Sequence, residues 1–314
     1  MSEHTHKRKR SLQDSNVDIS KMRMALNRLE ALKVELEGIE ETEEELQSIS
    51  EHVLALENIL KSAKLVYDLK KAGVMRKRLM FDDAKITDLT NGLTTDAKAE
   101  ITDLHSRMKK IYARVNMDYA PGSRMILDAI LLALADISST KQRGIAILPE
   151  MRIAQGDGVQ ISNPISGYGL WSSGHVDYAV IEYEDVRDYK SRLLAPGGSR
   201  EDAFEISAGR LFLVEAKRQS LSHSLVSHIP EAVGQAVALL RSANLSEVRF
   251  CLSDGHTWIF FVLKSENGML IYYESAARRL SRDLLENSDL PLREIVQLMC
   301  EWLRPTTTDL FVLE

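Results

Sequence analysis

The chain has 314 residues, of which 44% are apolar and 27% are charged, so it can build a packed core and is not disordered throughout. Its formal net charge of −6 excludes a protein that is held on nucleic acid by bulk positive charge, although local basic patches remain open. Two cysteines are too few for a disulfide framework, and no apolar run of about 18 residues predicts a membrane span, so we expect an intracellular chain with reduced thiols.

Aromatic residues, prolines and charge are distributed unevenly along the chain. Only two of the 19 aromatic residues precede residue 111, and all seven prolines lie at or after Pro121. Residues 1–110 are charge-neutral, whereas residues 111–314 hold 20 basic against 26 acidic side chains. The composition therefore predicts a helical region over residues 17–117 and an α/β domain over residues 121–314.

The first 16 residues are polar and are predicted to be a disordered basic tail. Four consecutive basic residues, Lys7, Arg8, Lys9 and Arg10, form its only charge run. Such a run is typical of a solvated tail, and it also fits a nuclear-import signal or an arm that contacts phosphates. The sequence leaves these interpretations open.

Residues 17–72 carry apolar side chains at the spacing of a helix or coiled coil. A regular heptad seam is formed by Leu46, Ile49, Val53, Leu56, Leu60, Ala63 and Tyr67. This stripe must pack against something, and a second copy of the chain, a partner helix and the α/β domain all remain open. A further helix is expected over residues 86–117, with a cap near Thr94.

From Pro121 onward, short β-type runs alternate with a few apolar helices. Helices are predicted at residues 123–139, 230–243 and 292–303, and strands at residues 145–153, 175–183, 210–217, 248–252, 258–264 and 269–274. Asn267-Gly268 between the last two strands is a strong signal for a hairpin turn. The core order is α-β-β-β-α-β, which predicts a mixed sheet flanked by helices and not a repeating Rossmann unit.

Two of these strands carry side chains suited to phosphodiester chemistry. Asp177 stands inside an apolar run, and the strand LFLV ends in Glu215-Ala216-Lys217. Residues 215 and 217 share one face of a strand, and Asp177 would stand beside Glu215 if the two strands pair. Two carboxylates and a backbone carbonyl, here that of Ala216, suit Mg²⁺ or Mn²⁺, and a nearby lysine suits activation of water.

An Asp, then a hydrophobic strand ending in Glu-x-Lys, then a helix carrying Gln resembles the PD-(D/E)XK nuclease superfamily over about residues 121–264. The resemblance implies a restriction-endonuclease-like fold and metal-dependent cleavage of DNA or RNA. It also implies that Asp177, Glu215 and the carbonyl of Ala216 bind the metal, that Lys217 is catalytic and that Gln235 positions water or substrate. The wider organisation is similar to uncharacterised fungal proteins that pair a helical region with such a domain, some related to crinkler-type effectors.

The superfamily often adds an acid from the first helix. Asp128 fits that helical location, whereas Glu150 lies at the end of a predicted strand, and the sequence does not choose between them. Two further functions stay open. One is a catalytically inactive nuclease fold that serves as a binding or effector-like interaction module, which the acidic balance of the domain favours. The other is a purely structural coiled-coil adaptor.

Overall fold

The structure of the protein is a computed structural model. It describes residues 25–32, 34, 53, 56–57, 60–61, 63–117, 120–153, 159–163, 166–172, 175–184, 189–195, 203–207, 210–217, 225–305 and 309–314. The chain divides into two compact units, Met1–Leu65 and Val66–Glu314. None of the helices within the described residues is both long and apolar enough to cross a membrane.

The predicted helical region at residues 17–72 is described only in part. The basic tail at residues 1–16 and much of the heptad seam lie outside the described residues. Every described residue between 25 and 71 is helical, in agreement with the predicted secondary structure. Among the seam residues, Val53 is buried whereas Leu56 is 51% exposed. Self-association or a partner helix through residues 17–72 stays a prediction.

The second unit begins well before the predicted domain boundary at residue 121. The prediction of an all-helical region over residues 17–117 is wrong for Val74–Phe81, which form strand β1 of the main sheet. Helices α1 (Asp83–Asn91) and α2 (Thr95–Arg114) follow, and they belong to the same unit. The expected cap is confirmed, because the Thr94 side chain accepts a hydrogen bond from the amide of Ala97 at 3.2 Å.

The remaining helices surround the sheet or lie in its connections. They are α3 (Ala120–Ser138), α4 (Tyr189–Leu194), α5 (Ala203–Ser207), α6 (Ile229–Ser242), α7 (Arg282–Asn287) and α8 (Leu290–Leu303). A single 3₁₀ turn, Leu225–His228, leads directly into α6. The three helices predicted after residue 121 correspond to α3, α6 and α8, and each differs from its predicted bounds by three residues or fewer.

The remaining strands complete one large sheet and one hairpin. They are β2 (Arg143–Arg152), β3 (Val159–Ser162), β4 (Gly169–Ser172), β5 (His175–Glu184), β6 (Leu211–Ala216), β7 (Glu247–Ser253), β8 (Thr257–Glu266), β9 (Met269–Ser275), β10 (Arg278–Arg279) and β11 (Phe311–Leu313). Among the described residues the large sheet has the order β11-β1-β9-β8-β7-β6-β5-β2, with β10 beside β8, and β3 pairs only with β4. The predicted mixed sheet flanked by helices is confirmed.

Strand alternation separates the two faces of the sheet. Val214 and Cys251 are register partners, and both join the core that α2, α3 and α8 bury. Their neighbours Leu213 and Phe250 therefore point to the opposite face, which α6 covers with its buried apolar residues. Phe250 stacks there on Phe261 with ring centroids 4.6 Å apart.

Two loops test finer predictions. Asn267 and Gly268 have φ angles of 51° and 77°, the left-handed values that a two-residue hairpin turn requires, so the predicted turn is confirmed. The segment at residues 184–209 is rich in acidic residues, proline and glycine, a composition that predicts a surface insertion. Its described part instead contains α4 and α5, which bury Leu193 and Ala203 against the sheet.

Candidate functional site

Asp177 and Glu215 come together because β5 and β6 pair in antiparallel fashion. Tyr178 is the register partner of Val214, so the next position along the ladder sets Asp177 opposite Glu215 on the same face. That face is the one covered by α6. Asp177 lies near the start of β5 and Glu215 lies near the end of β6, so both carboxylates lie at the same end of the β5–β6 pair.

Asp177 is fixed by one charged and one neutral donor. Its Oδ1 accepts from the Arg124 guanidinium at 2.5 Å, and its Oδ2 accepts from the backbone amide of Ala216 at 2.8 Å. The same Arg124 nitrogen lies 2.7 Å from Oε1 of Glu150. Arg124, from the first turns of α3, thus bridges two carboxylates, and charge-assisted contacts of this kind hold their geometry tightly.

Lys217 bridges a second pair of carboxylates. Its Nζ lies 2.7 Å from Oε1 of Glu215 and 2.9 Å from Oε2 of Glu231, at the start of α6. The four carboxylates of the site thus share two permanent cations, which leaves an excess of two negative charges when all four carboxylates are ionised. His228 Nδ1 approaches Glu231 at 3.7 Å, and this contact together with Lys217 lowers the pKa of Glu231 to about 2.

The Glu215 carboxylate is incompletely satisfied. The residue is only 5% exposed, and its Oε2 is buried without a hydrogen-bond partner. Burial raises the pKa of Glu215 to about 7, although Lys217 opposes the shift. A buried carboxyl group that is half ionised at neutral pH, with one oxygen unpartnered, is typical of a functional site.

Lys217 is a cation in this environment. Burial alone would lower its pKa, but Glu215 and Glu231 overcome that effect and raise it. The ammonium group therefore donates hydrogen bonds and is poorly suited to accept a proton. This geometry favours a role in orienting water or a phosphate oxygen over the role of a base that deprotonates water.

Two other predicted site residues, Gln235 and Asp128, contact different positions of strand β5. Gln235, on α6, donates to the backbone carbonyl of His175 at 3.1 Å and so braces the start of β5. Asp128, on α3, accepts from the hydroxyl of Tyr178 at 2.7 Å. Because Tyr178 follows Asp177 in the strand, this contact lies on the opposite face of the sheet from Glu215.

Glu150 joins the site more directly than Asp128 does. It lies across the β2–β5 ladder from Asp177, and both share the Arg124 contact. Its φ of 48° is in the left-handed region, which is uncommon for a residue other than glycine, and it interrupts the ladder at this position. Of the two alternatives left open by the sequence, the structure brings only Glu150 into contact with the Asp177 cluster.

Sequence reasoning missed two members of the cluster, Arg124 and Glu231. Arg124 is the only basic residue of the largely apolar helix α3, and this lone positive charge was visible in the sequence. Glu231 precedes Gln235 by four residues, so both share one face of α6, and that spacing was visible in the sequence. Neither feature of the sequence indicates which strand the side chain contacts, because Arg124 and Glu231 contact residues that are distant in the chain.

The residues fit a hard divalent cation by ligand type. Asp177, Glu215 and the carbonyl of Ala216 are oxygen donors, and the open Oε2 of Glu215 lacks any other partner. Within the described part of the chain, no cluster of three or more His, Cys, Asp or Glu side chains is arranged to hold a metal. A cation here would therefore depend on backbone and water oxygens in addition to two carboxylates.

Compared with known proteins, the chain matches no family model and no curated protein sequence.

Proposed function

We propose that the chain is a Mg²⁺- or Mn²⁺-dependent nuclease that hydrolyses phosphodiester bonds of nucleic acid. The observation that carries the proposal is the cluster of Asp177, Glu215 and Lys217 on paired strands, with one Glu215 oxygen buried and unpartnered. The order α3-β2-β5-β6-α6-β7, with β6 and β7 parallel, is consistent with the restriction-endonuclease-like class that the sequence motif suggests.

Each residue of the cluster has a definite part in such a reaction. Asp177 and Glu215, with the Ala216 carbonyl, would hold the cation, which when bound neutralises phosphate charge and lowers the pKa of water. The protonated Lys217 donates a hydrogen bond to the attacking water or to a non-bridging phosphate oxygen. Arg124 keeps Asp177 against the Ala216 amide. Hydrolysis forms one P–O bond to water and breaks one P–O bond, and the leaving oxygen gains a proton.

The full chain should be incubated with single- and double-stranded DNA and RNA in the presence of Mg²⁺, Mn²⁺ or EDTA. We expect cleavage that requires the cation and falls about 10²–10³-fold in Lys217→Met, because a buried charged donor is lost from the transition state. Asp177→Asn and Glu215→Gln should lose cleavage as well.

The matched control is Lys264→Met, which also removes a lysine from an ion pair. Lys264 lies 3.2 Å from Glu247. This variant should leave cleavage unchanged. If the parent chain cuts none of the four substrates, the proposed activity is wrong. If Lys217→Met and Lys264→Met behave alike, the catalytic role of Lys217 is wrong.

One observation favours a second candidate function. The Arg124 guanidinium contacts Asp177, so a permanent cation already occupies part of the position that a metal would take. A catalytically inactive nuclease fold that binds nucleic acid or a partner would have this arrangement. Calorimetric titration with MnCl₂ separates the two functions, because an inactive module binds no Mn²⁺ at the Asp177 cluster and cleaves no substrate.

A further inference from the structure

A cavity of about 470 Å³ opens on the α6 face of the sheet, away from the Asp177 cluster. It lies between the helical segment at residues 66–71, strands β1 and β9, and the beginning of α6. Its lining is mainly apolar, and it includes Leu69, Val74, Val226, Ile229, Pro230 and Tyr272. The volume falls within the range of about 300–1,000 Å³ that is usual for small-ligand sites.

Glu274 gives this cavity one polar anchor. Its side chain is 10% exposed, and its Oε1 lies 2.7 Å from the Arg76 guanidinium. Its Oε2 is buried and has no hydrogen-bond partner. An unpaired buried oxygen is unfavourable, and because Glu274 lines the cavity, a turn of its carboxylate toward a ligand that presents N–H donors would satisfy that oxygen. Oε1 keeps a second lone pair, so it can also accept from such a ligand.

A basic segment borders the same cavity. Residues 70–78 contain five cations and no acid, in a chain whose net charge is −6; they are Lys70, Lys71, Arg76, Lys77 and Arg78. Arg76 and Arg78 are the register partners of Tyr272 and Glu274, so they flank the cavity from β1. Lys77 instead lies over the ring of Tyr273 on the other face of the sheet. Lys70, Arg76 and Arg78 remain on the cavity side, and cations beside an apolar cavity suit a ligand whose apolar ring is attached to phosphates.

The cavity and the Asp177 cluster share one element. Ile229 and Pro230 line the cavity, and the next residue, Glu231, binds Lys217. Strand β9, which carries Glu274, lies three strands from β6, or about 14 Å across the sheet. The cavity and the Asp177 cluster therefore lie on either side of the beginning of α6.

We propose that this cavity binds a guanine base from a single-stranded part of the substrate, with Glu274 accepting hydrogen bonds from the base edge and the basic segment contacting its phosphates. Guanine offers adjacent N1–H and N2–H donors to one carboxylate, and the ring of Tyr272 supplies an aromatic wall. An arginine-bearing peptide would also supply donors, but the cations on the cavity side would repel it. The inference rests on the proposed function only in treating the base as part of the substrate.

The test is binding of GMP and of IMP, which lacks the N2 amino group, measured by calorimetry on the full chain. We expect GMP to bind at least about tenfold more tightly than IMP or CMP, because the analogue leaves an acceptor unpaired. Glu274→Gln should abolish the difference between GMP and IMP. Val66→Trp, at a 51% exposed helical position on the cavity lining, should block binding and preserve folding.

The matched control is Val312→Trp, at a 59% exposed position on β11 outside the cavity lining, and it should bind GMP normally. The inference is overturned if GMP does not bind, if both cavity variants bind it like the parent chain, or if an arginine-rich peptide binds in its place. Because mononucleotide binding requires no cleavage, the two proposals fail separately. Cleavage without GMP binding removes the guanine site alone, whereas GMP binding without cleavage removes the nuclease activity alone.

Discussion

The two ends of the β5–β6 pair each bury a glutamate, and they treat it in opposite ways. Glu182, near the end of β5, is fully buried and faces three arginines: Arg143 at 3.4 Å, Arg210 at 3.1 Å and Arg304 at 2.7 Å. At the other end, Glu215 has a single lysine, which it shares with Glu231. One carboxylate is surrounded by excess positive charge, and the other lies in an excess of negative charge.

The difference separates a structural carboxylate from a functional one. Removing a charge from water is expensive, and three guanidinium groups offset that penalty for Glu182. Glu215 is nearly as buried but has a single lysine, which it shares with Glu231, and a fold tolerates this cost when another cation or a substrate supplies the missing positive charge. Burial alone therefore does not identify the site, whereas the local balance of charge does.

The largest stability effect should come from Glu182. Glu182→Gln removes the only carboxylate that the three arginines are shown to share, and it leaves three partly exposed guanidinium groups without that anion. We expect the free energy of unfolding to fall by about 3 kcal/mol in urea denaturation. Glu184→Gln, two residues further along β5 and exposed, should change it by less than about 0.5 kcal/mol. If both variants change the free energy of unfolding equally, water and not Glu182 satisfies the three guanidinium groups.

At Glu215 the sign of the effect should reverse. Burial raises its pKa from the model-peptide range to about 7, so the folded state holds a proton that the unfolded state has released. Stability from this group is therefore greatest below about pH 4.5 and is lost as the pH rises to about 7. Glu215→Gln cannot ionise, and we expect it to be more stable than the parent chain by about 2 kcal/mol at pH 8.

At pH 5 the same Glu215→Gln variant should gain little, since Glu215 is then protonated in the folded parent chain. Thermal unfolding at the two pH values measures the contrast. A variant that is less stable than the parent chain at pH 8 would mean that the Lys217 contact outweighs burial, and it would make Glu215 resemble Glu182.

The α/β core could be predicted from the sequence because its signals are local. Apolar runs marked β5 to β9, and Asn267-Gly268 marked the hairpin. Strand β1 was missed because three consecutive cations interrupt its apolar pattern, and only Val74 and Leu79 are buried along it. Its strand conformation depends on backbone pairing with β9 and β11, which are distant in the sequence. Secondary structure that depends on such pairing leaves no short-range pattern.

The candidate site, too, could be predicted from the sequence only in part. Asp177, Glu215 and Lys217 were predicted together because strand alternation fixes which side chains share a face. Arg124 and Glu231 come from two helices whose placement against the strands is a tertiary feature, so periodicity could not connect them to the site. The guanidinium of Arg124 also changes the chemistry, because a cation beside Asp177 competes with any metal.

The smallest of the expected effects tests that competition. Arg124→Met removes the permanent cation from Asp177 and Glu150, and the side chain is 43% exposed, so its loss should not disturb the core. We expect Mn²⁺ to bind about tenfold more tightly at pH 8, where Glu215 is ionised, because the carboxylates are freed from their ion pairs. Calorimetric titration measures the change, and Arg107→Met, which breaks the exposed pair with Asp103, is the control. Weaker binding in Arg124→Met would show that the arginine organises the carboxylates for the metal. In that case Arg124 would support Asp177 much as the three arginines support Glu182. Of the carboxylates at the two ends of the β5–β6 pair, only Glu215 would then lack sufficient positive charge.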